Sequence, residues 1–133
     1  MFLNQLNEEE KLAFSSLSIH IAEANDIIED SEKLMILEFR KEMEFDDDEG
    51  FDLMNLDSAI AVFSKSNESI KKKVLIELLG MAYADVDYDV SEKKLIGDFA
   101  EAVGLSKAVL ETETKLIIDY LKLLSEIVDT VEN

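Results

Sequence analysis

Residues 78–105 read LLGMAYADVDYDVSEKKLIGDFAEAVGL, in which two apolar patterns flank one acidic stretch. Before the acidic stretch, Leu78 and Met81 recur at the spacing of an amphipathic helix. After it, Ile96 and Phe99 show the same spacing. The segment therefore predicts a helix, an acidic loop and a second helix.

Helix ends along the chain are marked by polar residues and one glycine. Ser31 and Ser91 are expected N-caps, and the stretch 64–67 is expected to end one helix and cap the next. Gly104 stands where a left-handed C-terminal cap is expected. The chain has no Pro and only four Gly, which favours long helices. No segment alternates as a strand over a useful length, so the predicted fold class is all-α.

The predicted helices cover most of the chain. Their approximate ranges are 9–24, 31–43, 57–63, 70–82 and 91–103, with the residues from 106 onward forming one kinked helix or a short helix followed by a long one. The length of 133 residues predicts a single domain, 1–133.

An internal repeat relates the two halves at a shift of 60 residues, over about 12–45 and 72–105. The identical pairs are Ala22 and Ala82, Ala24 and Ala84, Ser31 and Ser91, Glu32 and Glu92, Lys33 and Lys93, Ile36 and Ile96, and Phe39 and Phe99. A duplicated helix, loop, helix unit is the scaffold that this repeat predicts. Two such units could pack face to face about a pseudo-two-fold axis and form one compact bundle.

Composition excludes several functional classes. Thirteen Lys and Arg against 31 Asp and Glu give a net charge of −18, which disfavours nucleic-acid and anionic membrane binding. The absence of Cys excludes disulfides and thiolate sites and favours a reducing compartment. Neither a signal-peptide pattern nor an apolar run of membrane-spanning length is present. We therefore expect a cytoplasmic protein without membrane insertion.

The acidic stretch between the two helices resembles part of a calcium loop. Asp85, Asp87 and Asp89 alternate as the first three oxygen ligands of an EF-hand do. Val90 replaces the turn glycine and Ile96 replaces the bidentate glutamate of that motif, so an EF-hand is not expected. Oxygen ligands still favour calcium or magnesium over zinc.

Two explanations of these acids stay open at this point. Asp85 lies near a predicted helix C-terminus, where the helix dipole disfavours a negative charge. Water and the following helix, with Glu92 in its first turn, could offset that cost. A bound divalent cation would offset it as well.

The stretch 78–92, followed by Ile96, Phe99 and the segment 103–105, resembles the TerB-like family. These tellurite-resistance helical domains are also found at the N-terminus of membrane-anchored DnaJ-type co-chaperones. The positions that match the family pattern are Asp85, Tyr88, Asp89 and Glu92. Val86 stands where the family usually has Gly.

The resemblance implies an all-α fold of about seven helices with internal two-fold symmetry. It also implies a cation site on the acidic loops and a stress-related or tellurite-related role in sensing or scaffolding, without a known reaction. The first-half loop is the weaker copy. The predicted cation ligands are Asp85, Asp87, Asp89 and Glu92, with Asn25, Asp26, Glu29 and Glu32 as a symmetric twin.

Other polar features predict no catalysis. His20, the single histidine, is expected to be partly buried or to pack at the surface of a helix. The run Lys71–Lys73 is expected to balance nearby acids, and the acidic run 46–49 to be solvated. The alternative for the acidic surface is a protein adaptor that docks a basic partner without any metal. We expect no enzymatic activity.

Overall fold

The computed structural model describes residues 1–24, 28, 30–46, 53–84 and 90–133, and these residues contain helices and no strand. The all-α prediction is therefore confirmed. The elements are a 3-10 turn, Leu3–Gln5, and the helices α1, Glu8–Ala22; α2, Asp30–Glu42; α3, Leu56–Ser64; α4, Glu68–Tyr83; α5, Val90–Ala102; and α6, Lys107–Glu132. Six α-helices are thus described, and the implied count of about seven is not confirmed.

Side-chain caps explain where several helices begin. Asn7 and Glu10 form a capping box, in which the Asn7 side-chain oxygen accepts from the Glu10 N–H at 2.8 Å and Glu10 accepts from the Asn7 N–H at 2.9 Å. Asn67 caps α4 by accepting from the Ile70 N–H at 2.9 Å. Each cap satisfies a backbone donor that the helix itself cannot, and contributes about 1 kcal/mol.

Two predicted caps are displaced, and one is confirmed. Helices α2 and α5 begin at Asp30 and Val90, so Ser31 and Ser91 lie inside the first turn and not at the N-cap. A serine is tolerated there because the N–H groups of the first turn make no hydrogen bond within the helix. Gly104 has a φ of 86°, the left-handed conformation expected of a C-terminal cap.

The core is built from aromatic pairs that join neighbouring helices. Phe14 of α1 meets Phe39 of α2 edge to face at 5.1 Å between ring centroids. Phe63 of α3 meets Phe99 of α5 in the same way at 6.0 Å. All four side chains are buried, and edge-to-face pairs add about 0.5–1.5 kcal/mol each beyond the burial of their area. The first pair holds α2 against α1, and the second pair holds α3 against α5.

The segment before α3 is attached to α1 by polar contacts. The Met54 N–H donates to Ser16 Oγ at 3.0 Å, and His20 Nε2 lies 2.8 Å from the Met54 carbonyl oxygen. Because a carbonyl only accepts, Nε2 carries the proton in this contact. His20 is half-buried, as predicted, and its role is to fix the chain before α3.

Helix α6 is one helix of 26 residues, which decides between the two predicted arrangements. It packs mainly along α4, where Ile117 is buried and lies near Gly80. All residues from 122 to 133 are exposed. Among the helices described, none has the length and apolar content needed to cross a membrane.

Candidate functional site

The predicted cation ligands divide into two groups. Asn25, Asp26, Glu29, Asp85, Asp87 and Asp89 lie outside the described residues. Glu32 and Glu92 are described, and they occupy the first turns of α2 and α5. The structure therefore locates the helical borders of both acidic loops.

The borders of the second loop are tied to each other. The Ala84 N–H donates to the Gly80 carbonyl at 3.1 Å, which closes the last turn of α4. On the other side of the loop, Lys93 Nζ lies 5.2 Å from the centroid of the Tyr83 ring. This cation–π contact contributes about 0.5–1 kcal/mol at an exposed site and links the end of α4 to the start of α5.

The first loop has similar helical borders. The Glu23 N–H donates to the Ile19 carbonyl at 3.0 Å, and the Ala24 N–H to the Ile21 carbonyl at 3.1 Å, which ends α1. Helix α2 then starts at Asp30. Both loops thus connect the C-terminal end of one helix to the N-terminal end of the next.

Glu32 and Glu92 are the distinctive described residues at these borders. Their exposed fractions are 3% and 4%, although both are carboxylates beside an acidic loop. Each makes at least one polar interaction within the protein. The N-terminal ends of α2 and α5 favour a negative charge, but burying a carboxylate still has a large desolvation cost. Compensating contacts are therefore required at both positions.

The chemistry of this arrangement suits a hard cation. Carboxylate oxygens are the ligands that calcium and magnesium prefer in proteins. Within residues 1–24, 28, 30–46, 53–84 and 90–133, no group of three or more His, Asp or Glu side chains is close enough to hold a metal ion. A site at the loops would therefore combine Glu32 or Glu92 with loop residues outside those ranges.

A polar cleft of about 450 Å³ lies at the opposite end of α1 and was not predicted. Glu10, which is buried, accepts a hydrogen bond there from the Ser66 hydroxyl, and Asn7 and Asn67 line the same cleft. The sequence signal for Glu10 was its position three residues after Asn7, which is the spacing of a capping box. The contact with Ser66 joins residues 56 positions apart and had no local signal.

A second polar contact that sequence reasoning missed fixes the first residues of the chain. The Phe2 N–H donates to Glu77 Oε1 at 2.8 Å, and the Leu3 N–H donates to Glu42 Oε2 at 2.8 Å. Glu77 is buried on α4, and the hydrogen bond from the Phe2 N–H compensates its desolvation. Glu77 and Glu42 therefore have a structural role.

The acidic run at 46–49 is described only at Asp46, which is exposed. Of the acidic side chains in the described residues, four are buried, namely Glu10, Glu32, Glu77 and Glu92. The negative charge of the described chain is therefore carried largely at its surface.

Comparison with known proteins adds no relative to this picture. No family model, no curated protein and no solved structure matches the chain. The similarity to the TerB-like family stays a prediction from sequence.

Proposed function

We propose that this chain is a non-enzymatic, TerB-like helical module of the cytoplasm that binds a divalent cation at its acidic loops. Calcium or magnesium is the expected ion, and stress-related or tellurite-related sensing or scaffolding is the expected role. In the second loop the ligands would come from Asp85, Asp87, Asp89 and Glu92. In the first loop they would come from Asn25, Asp26, Glu29 and Glu32.

Helix boundaries support a duplicated architecture for this module. Helices α1 and α4 both follow an Asn N-cap, at positions 7 and 67, which are related by the same 60-residue shift as the sequence repeat. Helices α2 and α5 start at positions 30 and 90 and each contain 13 residues. The equivalence therefore extends beyond the identities in the sequence, and we propose that the two halves are related by a pseudo-two-fold axis.

The burial of Glu32 and Glu92 carries the proposal. These residues are identical in the repeat, and both are nearly inaccessible to solvent. An exposed glutamate in the first turn would serve the helix dipole equally well, so the dipole does not account for the burial. A buried carboxylate at the end of an acidic loop is suited to complete a cation site.

A thermal melt of the EDTA-treated protein tests the proposal. Calcium, magnesium, manganese and zinc are added separately at about one hundred times an assumed dissociation constant. An ion that binds only the folded state adds about 2.7 kcal/mol, which raises the melting temperature by about 10 °C for a domain of this size. We expect a shift with calcium or magnesium, and we expect the Glu92→Gln variant to lose the part of it that comes from the second loop.

Glu101→Gln is the matched control, because Glu101 is exposed on the same helix and the substitution removes the same charge. This control should retain the full shift in melting temperature. A shift that is absent with every ion, or that is equal in the two variants, would contradict the proposal.

The second candidate function is a protein adaptor that docks a basic partner without a metal. The observation that favours it is the surface location of the negative charge, since most described acidic side chains are not buried. Such a surface attracts basic partners over distances set by salt screening.

Binding to a lysine-rich peptide separates the two functions. The adaptor predicts binding that weakens with salt and is unchanged by EDTA. The cation module predicts that calcium alters the melting temperature whether or not the peptide is present.

A further inference from the structure

Helix α6 presents an apolar surface that the described residues leave exposed. Its first half lies along α4 and α5, where Ile117 is buried and Leu121 is partly buried. The helix extends for about 39 Å at 1.5 Å per residue. From residue 122 onward every side chain is exposed, so none of the described helices buries the last three turns.

The exposed apolar residues form a continuous face and are not scattered. They are Leu116, Ile118, Tyr120, Leu123, Leu124, Ile127, Val128 and Val131, with exposed fractions between 40% and 75%. All except Ile118 fall, together with Ile117 and Leu121, on one side of the helix, which we call the α6 face. The charged residues of the same stretch, Asp119, Lys122, Glu126, Asp129 and Glu132, fall on the other side.

The spacing within the α6 face is that of a helix that packs against other helices. Ile117, Leu124 and Val131 are seven residues apart, and Tyr120 and Ile127 take the intervening core position of the heptad. The flanking positions, which carry charges in ordinary two-stranded coiled coils, are Leu116, Leu123, Leu121, Val128 and Thr130. This wider apolar stripe suits burial between helices of a bundle.

The area of the face is sufficient for a stable dimer. A fully exposed leucine side chain presents on the order of 100 Å² of apolar surface, so the seven half-exposed side chains of the α6 face present about 350 Å². Two copies would bury about 700 Å² of apolar surface. With an apolar share of about 65%, the whole interface would cover about 1,100 Å², just above the size of about 1,000 Å² that a specific interface needs.

Charge identifies a second copy of the chain as the partner. A basic partner would find no carboxylate within the α6 face, because the core and flanking heptad positions are uncharged. An uncharged apolar face is complementary to itself, which a symmetric dimer requires. The net charge of −18 opposes association of two copies. The charged residues of this stretch of α6, however, lie on the opposite side of the helix and stay in water, where salt screens their repulsion over about 8 Å.

We propose that the α6 face, from Leu116 to Val131, pairs with the same face of a second copy to form a homodimer. This proposal is independent of the cation site, since the dimer needs no acidic loop. Sedimentation velocity from about 1 µM to about 500 µM tests it. The expected result is a concentration-dependent rise from 15.0 kDa to twice that mass.

The variant Leu124→Glu with Ile127→Glu places two carboxylates in the face and should weaken the dimer at least tenfold. Both positions are exposed, and Glu favours helices, so circular dichroism should show an unchanged helix content. Lys122→Glu is the matched control, because it makes the same change of two charges on the opposite side. It should leave the dimer intact.

A wild-type protein that stays monomeric over the whole range would overturn the proposal. Equal effects of the double variant and Lys122→Glu would overturn it too, since charge and not the face would then control association. A monomer that binds lipid vesicles through this face would assign the face to a different partner. If the double variant does not fold, Val131→Glu, at a position 75% exposed near the helix end, provides the same test.

Discussion

Glu113 of α6 makes the stability of this domain depend on pH in a predictable direction. Burial raises the pKa of its carboxyl from 4.5 to about 7, although the positive charge of Lys72 lowers it. Its Oε2 atom is buried and accepts no hydrogen bond from the described residues. The ionised form is therefore poorly compensated in the folded protein.

The direction follows from proton binding in the two states. Between about pH 4.5 and 7, the folded state holds a proton on Glu113 that the unfolded state has lost. The contribution of this group to the free energy of unfolding therefore falls as pH rises through that range, and stays low above it. The full shift corresponds to about 3.4 kcal/mol, but the side chain is only half-buried, and solvent screening reduces the effect to about 1 kcal/mol.

The Glu113→Gln variant removes this dependence while keeping the volume of the side chain. We expect it to raise the free energy of unfolding by about 1 kcal/mol at about pH 8 and to change it little at about pH 4.5. Urea unfolding followed by circular dichroism at both pH values measures the difference. Glu111→Gln is the control, because Glu111 is exposed on the same helix and carries the same charge.

The reasoning would be refuted by a Glu113→Gln variant that is less stable than wild type at pH 8. It would also be refuted by an equal gain in Glu111→Gln, which would assign the effect to the net charge of the chain and not to burial.

Three further substitutions test the core, a helix end and a helix interior by urea unfolding. Phe99→Ala should lower the free energy of unfolding by about 3–5 kcal/mol, because Phe99 is 1% exposed and packs on Phe63. A loss below about 1 kcal/mol would contradict the place of Phe99 in the core. Gly104→Ala should lower the free energy of unfolding by about 1–2 kcal/mol, because the φ of Gly104 is 86°. Gly97→Ala should raise it by about 1 kcal/mol, because Gly97 lies in mid-helix with open space at its Cβ. Changes of the same sign in the two variants would contradict this account.

Local signals made most of the helical architecture predictable. Asn67 and Gly104 mark helix ends through contacts within a few residues, which the sequence displays directly. The N-cap predictions failed at Ser31 and Ser91, which are the second residues of their helices, since first-turn and N-cap positions both accept serine.

Burial was harder to predict, because it depends on distant parts of the chain. Leu12 is 39% exposed and Phe14 is buried, although both are apolar residues of α1. In α6 the periodicity indicated an amphipathic helix correctly, but periodicity does not tell whether another helix covers the apolar side. The exposure of Leu123 and Ile127 therefore had no sequence signal.

The candidate site was predictable only as a set of residue types and spacings. Alternating acids at 85, 87 and 89 can be recognised in sequence, but the burial of Glu92 cannot, because a first-turn glutamate is normally solvated. The same holds for Glu32 in the first half.

Calcium titration by isothermal calorimetry tests the central claim most directly, because it measures binding without relying on stability. The account predicts saturable binding by the EDTA-treated wild type, and loss of the second-loop site in the variant Asp85→Asn with Asp89→Asn. Saturable binding that this variant retains in full, or no binding of calcium or magnesium by the folded wild type, would contradict the claim that the acidic loops form a cation site.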